Sequence, residues 1–337
     1  MKAVIIKYDI PLIAGISTYQ NSLISDLISH YPSKFNVFEI KYKYKLKILN
    51  RIIDVGPYKS ELKDLMKENA IWLTFPSVSS DFFLGARYKI VTIHDTYYFL
   101  SPSIKRKIYI FLFNLKNKFK RLANYDKIIA ISELTKDYLI KDFSFPEEKI
   151  EVIYPFISKD YFNKYNKKSN NQKIIIGWIN NNNFNKIKKL FEFLNLFIKY
   201  APNNFEVHIY GKDIPVNSFV KKDKRIKYFG FLPEEKKIDT YLGFDYYLST
   251  SIIEGFGYPI MYAKALKIPV LLYDGKIPEI SRRNTIIWNE NSINNEFFNS
   301  LSKGVNNNLL EKAYNDALLC TFEKQKDKVE KIINELK

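Results

Sequence analysis

Ser251-Ile252-Ile253-Glu254-Gly255-Phe256-Gly257-Tyr258-Pro259-Ile260 is the stretch on which the reading of this chain turns. The apolar Tyr246-Tyr247-Leu248 before it reads as the end of a buried strand. Glu254 to Gly257 reads as a tight loop, and Pro259 as the first residue of a helix through Met261, Ala263 and Ala265. Proline suits a first helical turn because the amide hydrogen it lacks would be unpaired there. Gly255 and Gly257 let the backbone approach a ligand closely, and the amides of the helix start then face an anion such as phosphate. A carboxylate beside an anion site is better matched to hydroxyl donors than to phosphate, so Glu254 is expected to receive hydrogen bonds from a sugar. The competing reading is a plain strand-loop-helix turn in which Glu254 only caps the helix.

The 337 residues have room for two domains of ordinary size and a substantial core. A single cysteine, Cys320, excludes an intramolecular disulfide and a cysteine-rich zinc site. The apolar run from Ala3 to Ile6 is short for a signal peptide and reads as a first buried strand. No segment reaches the roughly 18 apolar residues of a membrane span, so a cytoplasmic protein is expected. With 53 Lys and Arg against 36 Asp and Glu, the formal charge is +17. Such a field attracts anionic lipid, nucleic acid or phosphorylated substrates. AT-rich coding sequence, which favours Lys, Asn, Ile, Tyr and Phe over Gly, accounts for the same composition.

Working outward from the loop, apolar runs predict strands at 70–74, 88–93, 125–131, 149–155, 173–178 and 205–211. The run 36–49 alternates apolar and basic residues and reads as one half-solvated strand. Gly15 opens a helix whose Leu23, Leu27 and Ile28 share a face. His94-Asp95 follows a strand directly, where ligands of open α/β sheets bind. Ser132 stands as an N-cap. Residues 103–122 place basic clusters around an aromatic, apolar centre, as in a helix lying on an anionic membrane surface at the inner face; a core helix with solvated ends is the alternative. Asn163 to Gln172, rich in Lys and Asn, reads as an interdomain linker. Leu309 to Leu336 reads as long, charged and helical, with Leu310, Ala313, Ala317 and Leu318 on one face. No Asp-x-Asp pair of the kind that holds a divalent ion on a diphosphate stands in these segments.

Ser-x-x-Glu-Gly-Phe-Gly-x-Pro, followed by a small-residue helix and Ile268-Pro269-Val270-Leu271-Leu272, resembles the donor-site signature of the retaining GT-B glycosyltransferases, particularly glycosyltransferase family 4. Gly15, His94-Asp95, Ser132-Glu133-x-Thr135-Lys136 and Pro278-Glu279 extend the resemblance over nearly the whole chain. It implies an α/β chain with two Rossmann-like doubly wound domains facing a cleft. Residues 1–162 would form the acceptor side, 173–308 the donor domain, and 309–337 a helical segment bracing the first domain. It also implies Gly15 facing the donor, His94 near the reacting sugar, the Phe231 and Leu232 amides along the nucleobase, and a lysine at the start of the second domain's first helix on the diphosphate. Lys186 is the candidate for that lysine, with Lys188 and Lys189 as rivals. Two positions depart from the pattern: Trp178 stands where an arginine is usual, and Tyr262 where a second glutamate usually holds the ribose.

The expected activity is transfer of a sugar from a nucleotide-diphosphate sugar to a hydroxyl acceptor on a glycan, lipid or protein-linked chain, with retention and without metal or other cofactor. Glu254, His94 and Lys186 carry the chemistry in this reading, and Gly15, Gly255, Phe256, Gly257, Tyr258, Phe231, Leu232 and Tyr262 hold the donor. The rival is a degenerate protein of the same fold that binds a nucleotide sugar or glycan without catalysis, motivated by Trp178 and Tyr262. A weaker third reading, transfer of sugar to nucleic acid, rests on charge alone.

Overall fold

The computed structural model describes residues 3–8, 14–40, 44–48, 51–55, 70–74, 86–96, 99, 104–112, 114–162, 173–180 and 184–336. Contacts divide the chain into two compact units: residues 1–156 with 320–337, and residues 157–319.

In unit 1 the strands are β1 (Ala3–Tyr8), β2 (Phe35–Ile40), β3 (Tyr44–Ile48), β4 (Arg51–Val55), β5 (Ala70–Leu73), β6 (Tyr88–Ile93), β7 (Lys127–Ala130) and β8 (Ile150–Val152). Six of them form one parallel sheet in the order β2-β1-β5-β6-β7-β8. β3 and β4 pair antiparallel as a separate hairpin. The alternating run expected as one strand over 36–49 is therefore two strands.

In unit 2 the strands are β9 (Ile174–Ile179), β10 (Phe205–Tyr210), β11 (Ile226–Gly230), β12 (Tyr246–Ser249), β13 (Val270–Tyr273) and β14 (Ile286–Trp288). All pairs are parallel, in the order β11-β10-β9-β12-β13-β14. β5, β7 and β12 are buried at every position, as expected for parallel strands covered on both faces. The unit 2 sheet starts at its centre, runs outward to β11, and returns to β12 on the other side of β9. The helices after β9 and β12 leave on opposite faces at such a reversal, which opens a crevice at the carboxyl ends of the two central strands.

Two stretches read from the sequence as single helices are each two. Residues 103–122 are two helices, Ile104–Leu112 and Leu115–Lys120, broken where Asn114 takes a left-handed φ of 50°. Asparagine tolerates that conformation because its short polar side chain bonds locally. The C-terminal stretch is likewise two helices, Asn307–Leu318 in unit 2 and Phe322–Glu335 in unit 1. The second is tied into unit 1 by Tyr88 Oη donating to Glu335 at 2.6 Å, Lys328 Nζ donating to Val152 O at 2.7 Å, and His30 stacking on Phe322 at 4.2 Å. The run expected as a linker, 163–172, lies outside the described residues.

Candidate functional site

The crevice of unit 2 is built from the ends of β9 and β12 and the first turn of the helix Phe184–Tyr200. Trp178, near the end of β9, is buried, and its Nε1 donates to Thr250 Oγ1 at 2.9 Å. Thr250 Oγ1 passes the bond on to the Lys186 carbonyl at 2.9 Å. This relay pins the start of the helix to the end of β12, and Lys186 Nζ then reaches Glu254 Oε1 in a direct ion pair. The same carboxylate oxygen accepts from Ser251 Oγ at 2.6 Å. Lys186, Glu254, Ser251, Asn180, Tyr247 and Pro259 line one small recess. The Lys186 and Glu254 side chains keep 22% and 17% of their surface exposed, so both can meet a ligand.

The loop after β12 is held from behind. Glu254 N donates to Lys276 O at 3.1 Å and Lys276 N to Ile252 O at 2.8 Å, a parallel bridge that leaves the Glu254 side chain in the recess. Ser281 Oγ donates to the Phe256 carbonyl, and the Phe256 ring is buried against Tyr258 at 5.2 Å. Gly257 caps the helix Tyr258–Ala265 at φ 92°, a left-handed conformation that favours glycine. A Cβ there would meet Ile260 Cδ1 at 3.0 Å. The helix thus begins one residue earlier than the sequence suggested. Pro259 has no amide hydrogen and the Ile260 amide turns back to Gly257 O at 2.9 Å. The Met261 amide turns back to the same carbonyl at 3.2 Å, so fewer amides of the first turn can face an anion than the whole helix start implied.

Behind this helix sits a buried cation that the sequence reading missed. Lys264 is fully buried and donates to Ile280 O at 2.9 Å, Arg283 O at 2.7 Å and Asp316 Oδ2 at 3.1 Å. Asp316 also accepts from Arg283 Nε at 2.6 Å and Asn284 Nδ2 at 2.9 Å. Three donors meet three acceptors, the condition under which a buried ammonium is tolerated. The only signal in sequence was a lysine within the small apolar run Met261 to Leu266.

The other expected donor contacts are dispersed. Tyr262 is buried and stacks on Tyr161 at 4.2 Å and 7°, with Lys237 Nζ 5.5 Å from its ring centre. Burial pushes its hydroxyl well above the usual tyrosine range. Tyr262 and Trp178 are thus core residues. Phe231 is exposed and Leu232 half-buried, both just past the edge strand β11. Of the rival lysines, Lys188 is exposed on the helix, and Lys189 pairs with Glu192 and Glu290 and lies 4.6 Å from the Tyr273 ring centre. Lys186 is the one that meets Glu254.

Gly15 and His94 belong to unit 1. Gly15 is exposed in the first turn of the helix Ala14–His30, and among the described residues a Cβ on it would meet nothing within 4 Å. His94 is buried just past β6 with Nε2 2.8 Å from the Thr74 carbonyl and the Tyr19 ring edge-on at 4.7 Å. A carbonyl only accepts, so Nε2 carries the proton. Burial, the larger cause, lowers the His94 pKa to about 4 against the opposing pull of that carbonyl. The ring is neutral at pH 7 and supplies no positive charge. Ser132 caps its helix as expected, accepting from Thr135 N at 3.2 Å.

Comparison with known proteins finds likenesses over part of the sequence and over the fold. The sequence profile described as Glycosyltransferase Family 4 matches residues 72–161. The O-antigen chain mannosyltransferase RfbU of Salmonella typhimurium is 30% identical over 193 residues, 56% of this chain and 52% of the relative. The match therefore spans about half the length of that relative. Sucrose-phosphate synthase from Thermosynechococcus elongatus superposes with a TM-score of 0.68 at 12% identity, over 100% of this chain and 99% of that one. Anabaena HepE, solved in complex with UDP and glucose, gives 0.65 at 14% identity over 99% and 100% of the two chains. The fold is that of the GT-B glycosyltransferases. The recess at Lys186 and Glu254 stands at the reversal point of the second GT-B sheet, and in sequence the chain resembles glycosyltransferase family 4.

Proposed function

We propose that this chain is a glycosyltransferase that moves a sugar, a hexose in the first instance, from a nucleotide-diphosphate donor to a hydroxyl on a glycan or lipid-linked acceptor. The observation that carries this reading is the Lys186 cation beside the Glu254 carboxylate in the crevice at the ends of β9 and β12. Departure of the diphosphate is the difficult step. Lys186 and the positive end of the helix Tyr258–Ala265 neutralise the charge that grows on it, while Glu254 orients the sugar through its hydroxyls. Neutralisation by protein groups alone makes the reaction metal-independent in this reading. Among the described residues no three His, Cys, Asp or Glu side chains gather as metal ligands. Retention of configuration follows from the family resemblance. The O-antigen relative supports a glycan acceptor and places mannose first among the sugars to try.

A panel of UDP-, GDP- and ADP-sugars tests the reading by thermal shift and by release of the nucleoside diphosphate. Stabilisation with release by one donor is the expected result; no response to any donor would sink it. The second reading, a binding protein of the same fold, is favoured by the burial of Trp178 and Tyr262, and it predicts stabilisation without release even when acceptors are supplied.

We also propose that unit 1 carries the acceptor-side contact with an anionic membrane. On the helix Ile104–Leu112, Ile108, Phe111 and Leu112 are 53%, 83% and 70% exposed. Lys107, Lys116, Lys118, Lys120 and Arg121 are exposed around them. Apolar side chains ringed by cations match a bilayer with acidic headgroups. Among the described residues no helix is long and apolar enough to cross a membrane. Co-sedimentation with phosphatidylglycerol vesicles should occur at low salt and fall in Phe111→Ser/Leu112→Ser; equal binding by that variant would remove the helix from the contact.

A further inference from the structure

We propose that Glu254 selects sugar nucleotides over free nucleoside diphosphates by competing with phosphate for Lys186. The proposal rests on the transferase reading above and assigns that recess its discrimination. The ion pair is not a meeting of two loose surface side chains. On one side the Lys186 backbone is held through Thr250 Oγ1 at 2.9 Å; on the other the Glu254 amide is bonded to Lys276 O at 3.1 Å. Ser251 Oγ fixes the shared oxygen, Glu254 Oε1, at 2.6 Å. Both side chains are more than three-quarters covered. Separating such a pair costs more than separating an exposed one, because the carboxylate left behind is only partly hydrated.

Any diphosphate that takes Lys186 therefore strands Glu254 beside new negative charge. A free nucleoside diphosphate brings only acceptor oxygens to this end of the site and offers Glu254 nothing in exchange. A sugar nucleotide brings hydroxyls, and two hydroxyl donors on Glu254 replace the ammonium it gives up. The exchange is complete only when a sugar is attached. Glu254 thus holds the donor through its sugar and, once the sugar has gone, returns to Lys186 and helps expel the diphosphate.

The test is a titration by calorimetry of UDP, GDP and ADP, and of the preferred sugar nucleotide, against four proteins: the native chain, E254Q, K186Q and the double variant. Glutamine keeps the shape of Glu254 and its acceptor for Ser251 but lacks the negative charge that holds the ammonium. E254Q is expected to bind the free diphosphate about 5- to 10-fold more tightly, the range for releasing a part-buried ion pair, while the sugar nucleotide gains less. In the K186Q background the same change should shift the dissociation constant less than twofold. E254D supplies the control for net charge: it keeps the carboxylate but withdraws it from Lys186, and should also bind the diphosphate more tightly. A diphosphate affinity unchanged or weakened in E254Q would overturn the proposal while leaving the transferase reading intact. So would an equal gain with and without Lys186. Failure of every form to bind any nucleotide would overturn both.

Discussion

His94 and Glu254 stand at similar addresses, each just past the carboxyl end of a central parallel strand, one in unit 1 and one in unit 2. Their surroundings make them chemically opposite. His94 is buried, neutral and committed through Nε2 to a backbone carbonyl. Glu254 is partly open and paired with a lysine whose side chain is partly open as well. Position at a strand end marks a residue as near a crevice, but burial and partner decide whether it can act on anything there.

The sharpest way to break this contrast is Glu254→Ala. Transfer should fall by about 100- to 1,000-fold, the scale for removing one oriented polar contact to a transition state, with thermal unfolding little changed. An unchanged turnover would take Glu254 out of the site. Next is His94→Gln, which keeps a donor for Thr74 but cannot titrate. With a folded pKa of about 4 against the ordinary histidine value of 6.5, the unfolded chain binds a proton that folded His94 refuses between these values. Stability therefore falls as pH drops through that window, by roughly 2–3 kcal/mol at its lower end. Urea melts at pH 7 and pH 4.5 should show a smaller acid loss in H94Q; an identical loss would mean that His94 is charged or open in solution. Gly257→Ala should cost about 1–2 kcal/mol, from its left-handed φ and the Ile260 contact, and lower donor binding with it. Gly15→Ala should be the mildest change, within about 1 kcal/mol and on the stabilising side, because the position is helical and open. A loss of activity without loss of stability there would show that the open space in front of Gly15 is where substrate lies.

The parts of the molecule that local pattern controls were legible. Strand runs such as Ala70-Ile71-Trp72-Leu73, the Ser132 cap and the Glu254 to Pro259 loop each declare themselves within a few residues. What depended on distant partners was not. Lys186 and Glu254 are far apart in sequence, and the asparagines from Asn180 to Asn183, with Asn185, gave the lysine no register. Tyr262 reads as a missing ribose contact until Tyr161 is found stacked on it. The Lys264–Asp316 pair needed three segments to be seen together. The break at Asn114 was invisible because asparagine is an ordinary helix residue until its backbone turns left-handed.

The division of the C-terminal helices has a consequence for synthesis. Unit 2 is one continuous run, 157–319, whereas unit 1 takes its last helix from residues 320–337, whose Phe322, Val329 and Ile332 are buried. On the ribosome the unit encoded first is therefore finished last: its sheet can assemble early, but one flank stays uncovered until the whole of unit 2 has been made. The later-encoded half can reach its native state on its own schedule, while the earlier half waits for chain that has yet to emerge.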